Sequence, residues 1–141
     1  MNIATIVLSA GKGTRMNSDL PKVLHKVLGK EIILWSNEAI KNFSNKIFVI
    51  GHQHELVKGY ISKDSQIIVQ EKQLGTGHAL SVVFNEESFL SQAYDYVLVI
   101  PGDVPLIEEE ILSNLITKVV TSKASIGFVA ASVKEPFGYG R

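Results

Sequence analysis

Short runs of apolar, β-branched residues alternate along the chain with longer segments in which apolar residues recur every three or four positions. Most of the short runs are continuously apolar, which is typical of parallel strands that are covered on both faces. The alternation of strand with helix predicts an α/β fold with a mainly parallel sheet and flanking helices. The expected strands are Ile3–Leu8, Lys46–Ile50, Gln66–Gln70, Tyr96–Ile100 and Ala124–Val133.

Three of the longer segments have helical spacing. One helix is expected from about Glu31 to Phe43, and a second is expected to follow Thr76, a residue suited to an N-cap. A third is expected to begin with the acidic residues 108–110 and to end near Lys118, which matches the helix dipole. Because no repeat, low-complexity tract or linker interrupts the pattern, the sequence predicts one domain over residues 1–141.

Residues suited to ligand binding follow the ends of the expected strands. Gly, Lys, Arg, Asp and Gln concentrate in residues 9–15, 70–77 and 101–105. In a parallel sheet these loops all emerge at one edge, where α/β proteins bind their ligands. The pattern therefore predicts one shared pocket at the carboxyl ends of the strands.

Charge and composition restrict the kind of ligand. Fourteen basic residues balance fourteen acidic ones, so no global field attracts nucleic acid or an anionic membrane, and a phosphate site must be local. The absence of cysteine excludes a disulfide framework, a thiolate metal site and a cysteine nucleophile. The first apolar run is too short for membrane insertion, and its positive charges follow it, so we expect a cytoplasmic protein.

The loop after the first strand has the composition of a phosphate site. Gly11 and Gly13 allow the backbone to approach a ligand and present N–H groups, while Lys12 and Arg15 supply positive charge. This combination favours a polyphosphate ligand. A glycine-rich turn with solvated charges is the competing interpretation.

Two common nucleotide motifs fit this loop poorly. A P-loop has its lysine after the second glycine, whereas Lys12 lies between the glycines. A dinucleotide-binding fingerprint has a third small residue where Met16 stands. It also requires an acidic residue at the end of the second strand, where residues 51–53 are Gly-His-Gln. A nicotinamide-binding Rossmann domain is therefore the weaker alternative.

The stretch Gly-Lys-Gly-Thr-Arg-Met, followed by Pro21 and Lys22, resembles the signature of enzymes that join a nucleoside triphosphate to a sugar phosphate. Four further segments have the order and spacing of the bacterial N-acetylglucosamine-1-phosphate uridyltransferase family: residues 20–30, 73–80, 102–106 and 138–141. The resemblance implies a glycosyltransferase-A-like fold. It also implies uridylyl transfer from UTP to N-acetylglucosamine 1-phosphate, with Mg²⁺ as cofactor and pyrophosphate as the second product.

The resemblance also implies roles for individual residues. Arg15 and Lys22 would neutralise the triphosphate, and Asp103 would hold Mg²⁺, although a turn-forming or helix-capping aspartate is the competing interpretation. Gln70 would read the uracil edge, unless it is only a polar strand end. His78 is expected to face helix packing. The remaining nucleotide and sugar contacts would come from Leu8, Ala10, Gly11, Gly13, Gly75, Thr76 and Gly138.

In this family the uridyltransferase domain continues beyond the point that corresponds to Arg141. The remainder carries an asparagine as a second metal ligand and a β-helix domain that acetylates glucosamine 1-phosphate and forms homotrimers. We therefore expect the chain to be the N-terminal part of a sugar-phosphate nucleotidyltransferase domain. An inactive fragment that still binds nucleotide is the alternative to an active enzyme.

Overall fold

The computed structural model describes residues 1–13, 16–135 and 137. Contacts divide the chain into a first unit, Met1–Glu109, and a second unit that begins at Glu110. The elements in chain order are β1 (Ile3–Ser9), β2 (Lys26–Val27), β3 (Lys30–Glu31), α1 (Ile32–Ala39), β4 (Lys46–Ile50), α2 (His54–Lys58), β5 (Gln66–Val69), α3 (Thr76–Phe84), α4 (Glu87–Leu90), β6 (Tyr96–Pro101) and α5 (Glu109–Ser122).

The first unit is built on a four-stranded parallel sheet with the order β5-β4-β1-β6. The strand β1 lies in the interior of the sheet, where Val7 is paired with Phe48 on one side and with Ile100 on the other. The chain moves from β1 to β4 and β5, then returns to the far side of β1 as β6. This reversal of strand order creates the crevice in which open α/β sheets bind ligands.

The core lies around the two interior strands. All five residues of β4 are buried, as are five of the seven in β1. One face of the sheet packs on α3, since Ala79 and Val83 belong to the same buried cluster as Ile6, Val49 and Ile68. Burial on both sides explains why these strands are continuous apolar runs.

The parallel α/β fold that the sequence predicts is confirmed, with four of its five strands formed within one residue of the expected bounds. The helix α1 ends at Ala39, before the expected Phe43, because Ile40 leaves the helical conformation with φ −113° and ψ 12°. A small hairpin, β2 with β3, was not predicted; its turn places Leu28 and Gly29 at positive φ. In the described part of the chain, no helix is both long and apolar enough to cross a membrane.

The predicted strand Ala124–Val133 is wrong. Residues 124–133 have no strand assignment, and the side chains of Ile126 and Phe128 are 82% and 80% exposed. A β-branched, apolar sequence favours a strand only where a neighbouring strand supplies hydrogen bonds and packing. The described residues offer this segment no such neighbour.

Candidate functional site

A cavity of about 750 Å³ opens at the carboxyl edge of the sheet. Its volume is typical of a small-molecule or cofactor site. The loops after β1, β5 and β6 line it together with the 3-10 turn Lys22–Leu24, as the predicted shared pocket requires. Arg15 and Gly138 lie outside the described residues. The other predicted site residues all line the cavity: Leu8, Ala10, Gly11, Gly13, Lys22, Gln70, Gly75, Thr76 and Asp103.

The loop after β1 packs closely against Lys22 at Gly13. This glycine has φ +63°, and a Cβ atom there would lie 2.7 Å from Cβ of Lys22. Gly11 has no heavy atom within 4 Å of its Cβ position, so its backbone is open to the cavity. Gly13 therefore fixes where Lys22 lies, while Gly11 leaves room for a ligand.

Two further glycines bring neighbouring strand ends together. At Gly51, a Cβ atom would lie 2.7 Å from the backbone oxygen of Ala10. At Gly102, it would lie 3.0 Å from the backbone oxygen of Leu8, which accepts a 2.8 Å hydrogen bond from the Gly102 N–H. These close approaches hold the loops after β1, β4 and β6 side by side.

Lys22 and Asp103 meet across the cavity. Nζ of Lys22 lies 2.6 Å from Oδ2 of Asp103, and both side chains are a little over one-third exposed. Burial of Val23 and Leu24 anchors the turn that carries Lys22. Asp103 belongs to the turn that follows β6, and the helix α5 begins only at Glu109, so Asp103 does not cap that helix.

The charge of the cavity wall is mixed. Among the described residues, Lys12, Lys22 and Lys72 face two carboxylates, Glu71 and Asp103. An excess of one positive charge is local, since the chain as a whole is neutral. Such a wall suits an anion that also carries a cation, since the lysines can bind the anion and the carboxylates the cation.

Gln70 follows the last residue of β5 and is only 3% exposed. Its amide nitrogen Nε2 donates to the backbone oxygen of Gly75 at 3.3 Å and lies 2.8 Å from Nδ1 of His78. His78, which was expected to face helix packing, thus also contacts the side chain of Gln70, a contact that was not predicted. The imidazole contacts Gln70 because α3 begins only six residues after that side chain. The backbone oxygen of Gln70 in turn accepts a 2.8 Å hydrogen bond from Nε2 of Gln73.

The start of α3 closes one side of the cavity. Gly75, the N-cap residue of α3, has φ +102°, and no heavy atom lies within 4 Å of its Cβ position. A side chain there would meet no protein atom, so the positive φ is what requires glycine. Thr76 is the first residue of the helix instead of its N-cap, a shift of one position from the expectation.

The cavity offers one predicted metal ligand. In the described ranges, no three His, Asp or Glu side chains form a cluster that could hold a metal ion by themselves. A single carboxylate such as Asp103 fits Mg²⁺, which binds through one or two carboxylates, substrate phosphates and water. It does not fit a site in which the protein alone surrounds the metal.

Comparison with known proteins finds the same kind of fold and sequence. Residues 5–141 match the family described as MobA-like NTP transferase domain. The chain is 41% identical over 137 residues to the bifunctional protein GlmU of Thermosipho africanus, and 45% identical over 144 residues to GlmU of Streptococcus agalactiae. These alignments cover 97% and 100% of the chain but 30% of each relative, in its N-terminal region.

Solved structures agree on the fold. A nucleotidyl transferase from Methanothermobacter thermautotroptrophicus superposes with a TM-score of 0.63 at 19% sequence identity, over 82% of this chain and 57% of that one. At this identity the likeness concerns the fold alone. The residues that line the cavity also lie in segments that the sequence comparisons cover.

Proposed function

The chain belongs to the MobA-like NTP transferase domain family, a family of transferase enzymes, and from that premise we propose that it carries the nucleotide site of a uridylyltransferase. The substrates would be UTP and N-acetylglucosamine 1-phosphate, and the products UDP-N-acetylglucosamine and pyrophosphate. The motifs at residues 11–16, 73–80 and 102–106 support this substrate pair, because they resemble those of the corresponding bacterial enzymes. Since the substrates are cytoplasmic metabolites, the proposal includes a cytoplasmic location.

The proposal rests on the contact between Lys22 and Asp103. Their charged atoms lie 2.6 Å apart in the cavity that the loop after β1 lines. A cation and a carboxylate side by side suit a nucleoside triphosphate and its metal ion, since each group can bind one of the two. Lys22 would bind phosphate oxygens, and Asp103 would hold Mg²⁺. Arg15, which resembles a second phosphate-binding cation by its place in the motif, is proposed for the same role.

The proposed chemistry needs positioning more than proton transfer. A phosphate oxygen of the sugar phosphate attacks the α-phosphorus of UTP, and the bond from that phosphorus to the oxygen bridging to the β-phosphate breaks. The electron pair of the broken bond leaves with pyrophosphate. Because the attacking phosphate is already ionised at neutral pH, no general base is needed, and the lysines act by neutralising charge.

Mg²⁺ would supply charge neutralisation on the phosphate oxygens when bound. Asp103 is suited to hold it, since the carboxylate is partly exposed in the cavity and its only ion-pair partner in the described chain is Lys22. Lys22 would then be released to bind phosphate.

The base would lie against Ala10, a small residue that lines the cavity together with Leu8 and Gly11. The backbones of these three residues would border the uridine. Gln70 is proposed to bind the edge of uracil through its side-chain amide, which suits the imide of that base. Gly75 and Thr76 would close over the base and the ribose.

The test is release of pyrophosphate by this chain from UTP, N-acetylglucosamine 1-phosphate and Mg²⁺. We expect turnover that prefers the N-acetylated sugar to glucose 1-phosphate. Asp103→Asn should lower kcat by about 100-fold or more, a loss typical of removing one electrostatic contact to the transition state. The same variant should abolish the dependence of the UTP Kd on Mg²⁺.

The matched control is Glu86→Gln, which also neutralises one carboxylate. Glu86 precedes α4, caps no backbone group with its side chain and does not line the cavity. Turnover by Asp103→Asn at close to the wild-type kcat would contradict the proposed metal ligand. Turnover with CTP or ATP in preference to UTP would contradict the proposed substrate.

A second account is favoured by one observation: the chain spans about 30% of the length of the curated relatives it matches. In that account the chain binds UTP without turning it over. Calorimetry with UTP and Mg²⁺ separates the two accounts, since binding without pyrophosphate release supports the second, and absence of binding contradicts both.

A further inference from the structure

The contact between Gln70 and His78 fixes the orientation of an amide on the cavity wall. Gln70 lines the cavity, whereas His78 is the third residue of α3 and is half-buried behind it. Nε2 of Gln70 lies 2.8 Å from Nδ1 of His78 and 3.3 Å from the backbone oxygen of Gly75. The amide nitrogen carries two hydrogens, so these two acceptors can use both of them.

The reverse orientation of the amide is unfavourable. It would place Oε1 of Gln70 against the backbone oxygen of Gly75, and two acceptors would then face each other at a buried position. The Gly75 oxygen cannot move away easily, because it also accepts a 3.1 Å hydrogen bond from the backbone N–H of Ala79. The nitrogen of the amide therefore faces Gly75 and His78.

The oxygen of the amide is the group left for a ligand. Oε1 of Gln70 has no hydrogen-bond partner among the described residues, and it is not one of the side-chain atoms sealed from solvent. Because Gln70 lines the cavity, a ligand there meets a hydrogen-bond acceptor that is held in place.

We propose that His78 is a positioning residue that makes Gln70 an obligatory acceptor and thereby selects uracil over cytosine. Uracil carries a hydrogen on N3, which Oε1 can accept, whereas N3 of cytosine carries a lone pair that Oε1 would repel. For this, Nδ1 of His78 must accept, so the imidazole is neutral with its hydrogen on Nε2. The inference rests on the proposed use of a uridine nucleotide.

Two variants of His78 separate an acceptor role from simple packing. His78→Asn keeps an acceptor on a short side chain, and His78→Leu keeps the size but has no acceptor. We expect the wild-type chain to bind UTP more tightly than CTP in the presence of Mg²⁺, measured as Kd by calorimetry. His78→Leu should reduce the ratio of the two Kd values by about tenfold, mostly through weaker UTP binding. His78→Asn should keep the ratio within about threefold of wild type.

The outcomes distinguish the inference from the function on which it rests. A wild-type chain with no preference for UTP would overturn both. A wild-type preference that His78→Leu retains, or that both variants lose equally, would overturn only the role of His78. Thermal melts and far-ultraviolet circular dichroism identify a variant that fails to fold.

A measurement on the unmodified chain needs no variant. Nitrogen-15 shifts of the His78 imidazole, recorded by NMR near pH 8, should show the hydrogen on Nε2 and an unprotonated Nδ1. The opposite tautomer would make Nδ1 a donor towards Nε2 of Gln70 and would overturn the inference.

Discussion

At the scale of single residues, Gly13 packs the loop after β1 closely against Lys22, a cation of the cavity wall. An alanine there would have to adopt φ +63° and would bring its Cβ atom within 2.7 Å of Lys22 Cβ. We expect Gly13→Ala to lower the free energy of unfolding by about 1–3 kcal/mol and to displace Lys22. Urea unfolding measures the first effect, and the affinity for UTP with Mg²⁺ measures the second.

Gly59→Ala is the matched control for that substitution. Gly59 follows α2 with φ −64°, and no heavy atom lies within 4 Å of its Cβ position. Alanine there should be neutral or stabilise the chain by up to about 1 kcal/mol, because it restricts the unfolded state. Equal changes in unfolding free energy for the two substitutions would show that neither the positive φ nor the close approach to Lys22 constrains Gly13.

At this scale the sequence predicted which residues line the cavity, but it did not predict their contacts with one another. The position of Asp103 after an apolar strand was enough to place it at the carboxyl edge of the sheet. Its contact with Lys22, 81 residues away, depends on how two loops cross, which no local pattern encodes. The contact of His78 with Gln70 was not predicted for another reason. A histidine in the first turn of a helix is equally consistent with helix packing and with a hydrogen bond to a neighbouring loop.

At the scale of elements, the first residue of β4 carries a charge that is almost wholly buried. The Lys46 side chain is 7% exposed, and its Nζ lies 2.6 Å from Oδ2 of Asp64 and 3.2 Å from the backbone oxygen of Lys41. The hydrogen bond from Lys46, with a second from Ser62, holds the pKa of Asp64 below its ordinary value. The pair thus ties the start of β4 to the turn before β5.

The lowered pKa makes this contribution depend on pH in a definite direction. A carboxyl whose pKa is lower in the folded state stabilises the fold above its unfolded pKa of about 3.9, and the effect is lost as pH falls through the folded-state pKa. We expect Asp64→Asn to lower the free energy of unfolding at pH 7. The difference from wild type should shrink progressively below pH 3.9. Urea unfolding at a series of pH values measures it.

Glu86→Gln serves as the control carboxylate for this series, because its side chain caps no helix. It should have little effect on the unfolding free energy at any pH. A difference between Asp64→Asn and wild type that stays constant from pH 7 to pH 2 would contradict the role of the ion pair.

The elements that could be predicted are those whose burial is decided by the sheet itself. The strands β1 and β4 appear as apolar runs because most of their residues are buried in the interior of the sheet. The edge strand β6 is also an apolar run, although Val97 and Val99 are exposed. The hairpin of β2 and β3 has only two residues in each strand, too few to produce a period. Residues 124–133 have the composition of a strand, but no strand of the described residues pairs with them.

At the scale of the whole molecule, the sheet order predicts where the chain resists opening. The strand β1 has hydrogen-bonded neighbours on both sides, and β4 is buried throughout. We expect their amides to exchange with deuterium most slowly, because they open only when the whole sheet does. Residues 126–133 should exchange fastest, since they lack strand partners among the described residues.

Hydrogen exchange read out by mass spectrometry tests this order directly. The peptides to compare cover residues 3–9, 46–50, 66–69 and 126–133. Protection of residues 126–133 equal to that of β1 would mean that this segment pairs as a strand in solution, as its sequence predicts. Faster exchange in β1 than in β5 would contradict the sheet order.

The interior strand β1, Ile3–Ser9, precedes both of its sheet neighbours in the chain, so it is synthesised before them. Its neighbour β4 is complete only at Ile50, and its other neighbour β6 only at Pro101. At about 5–20 residues per second, the roughly 90 residues from β1 to β6 take about 5–20 s to synthesise. During that time one edge of an apolar strand has no partner and can pair with a neighbouring nascent chain. Slow translation of residues 50–96 would therefore favour aggregation over folding.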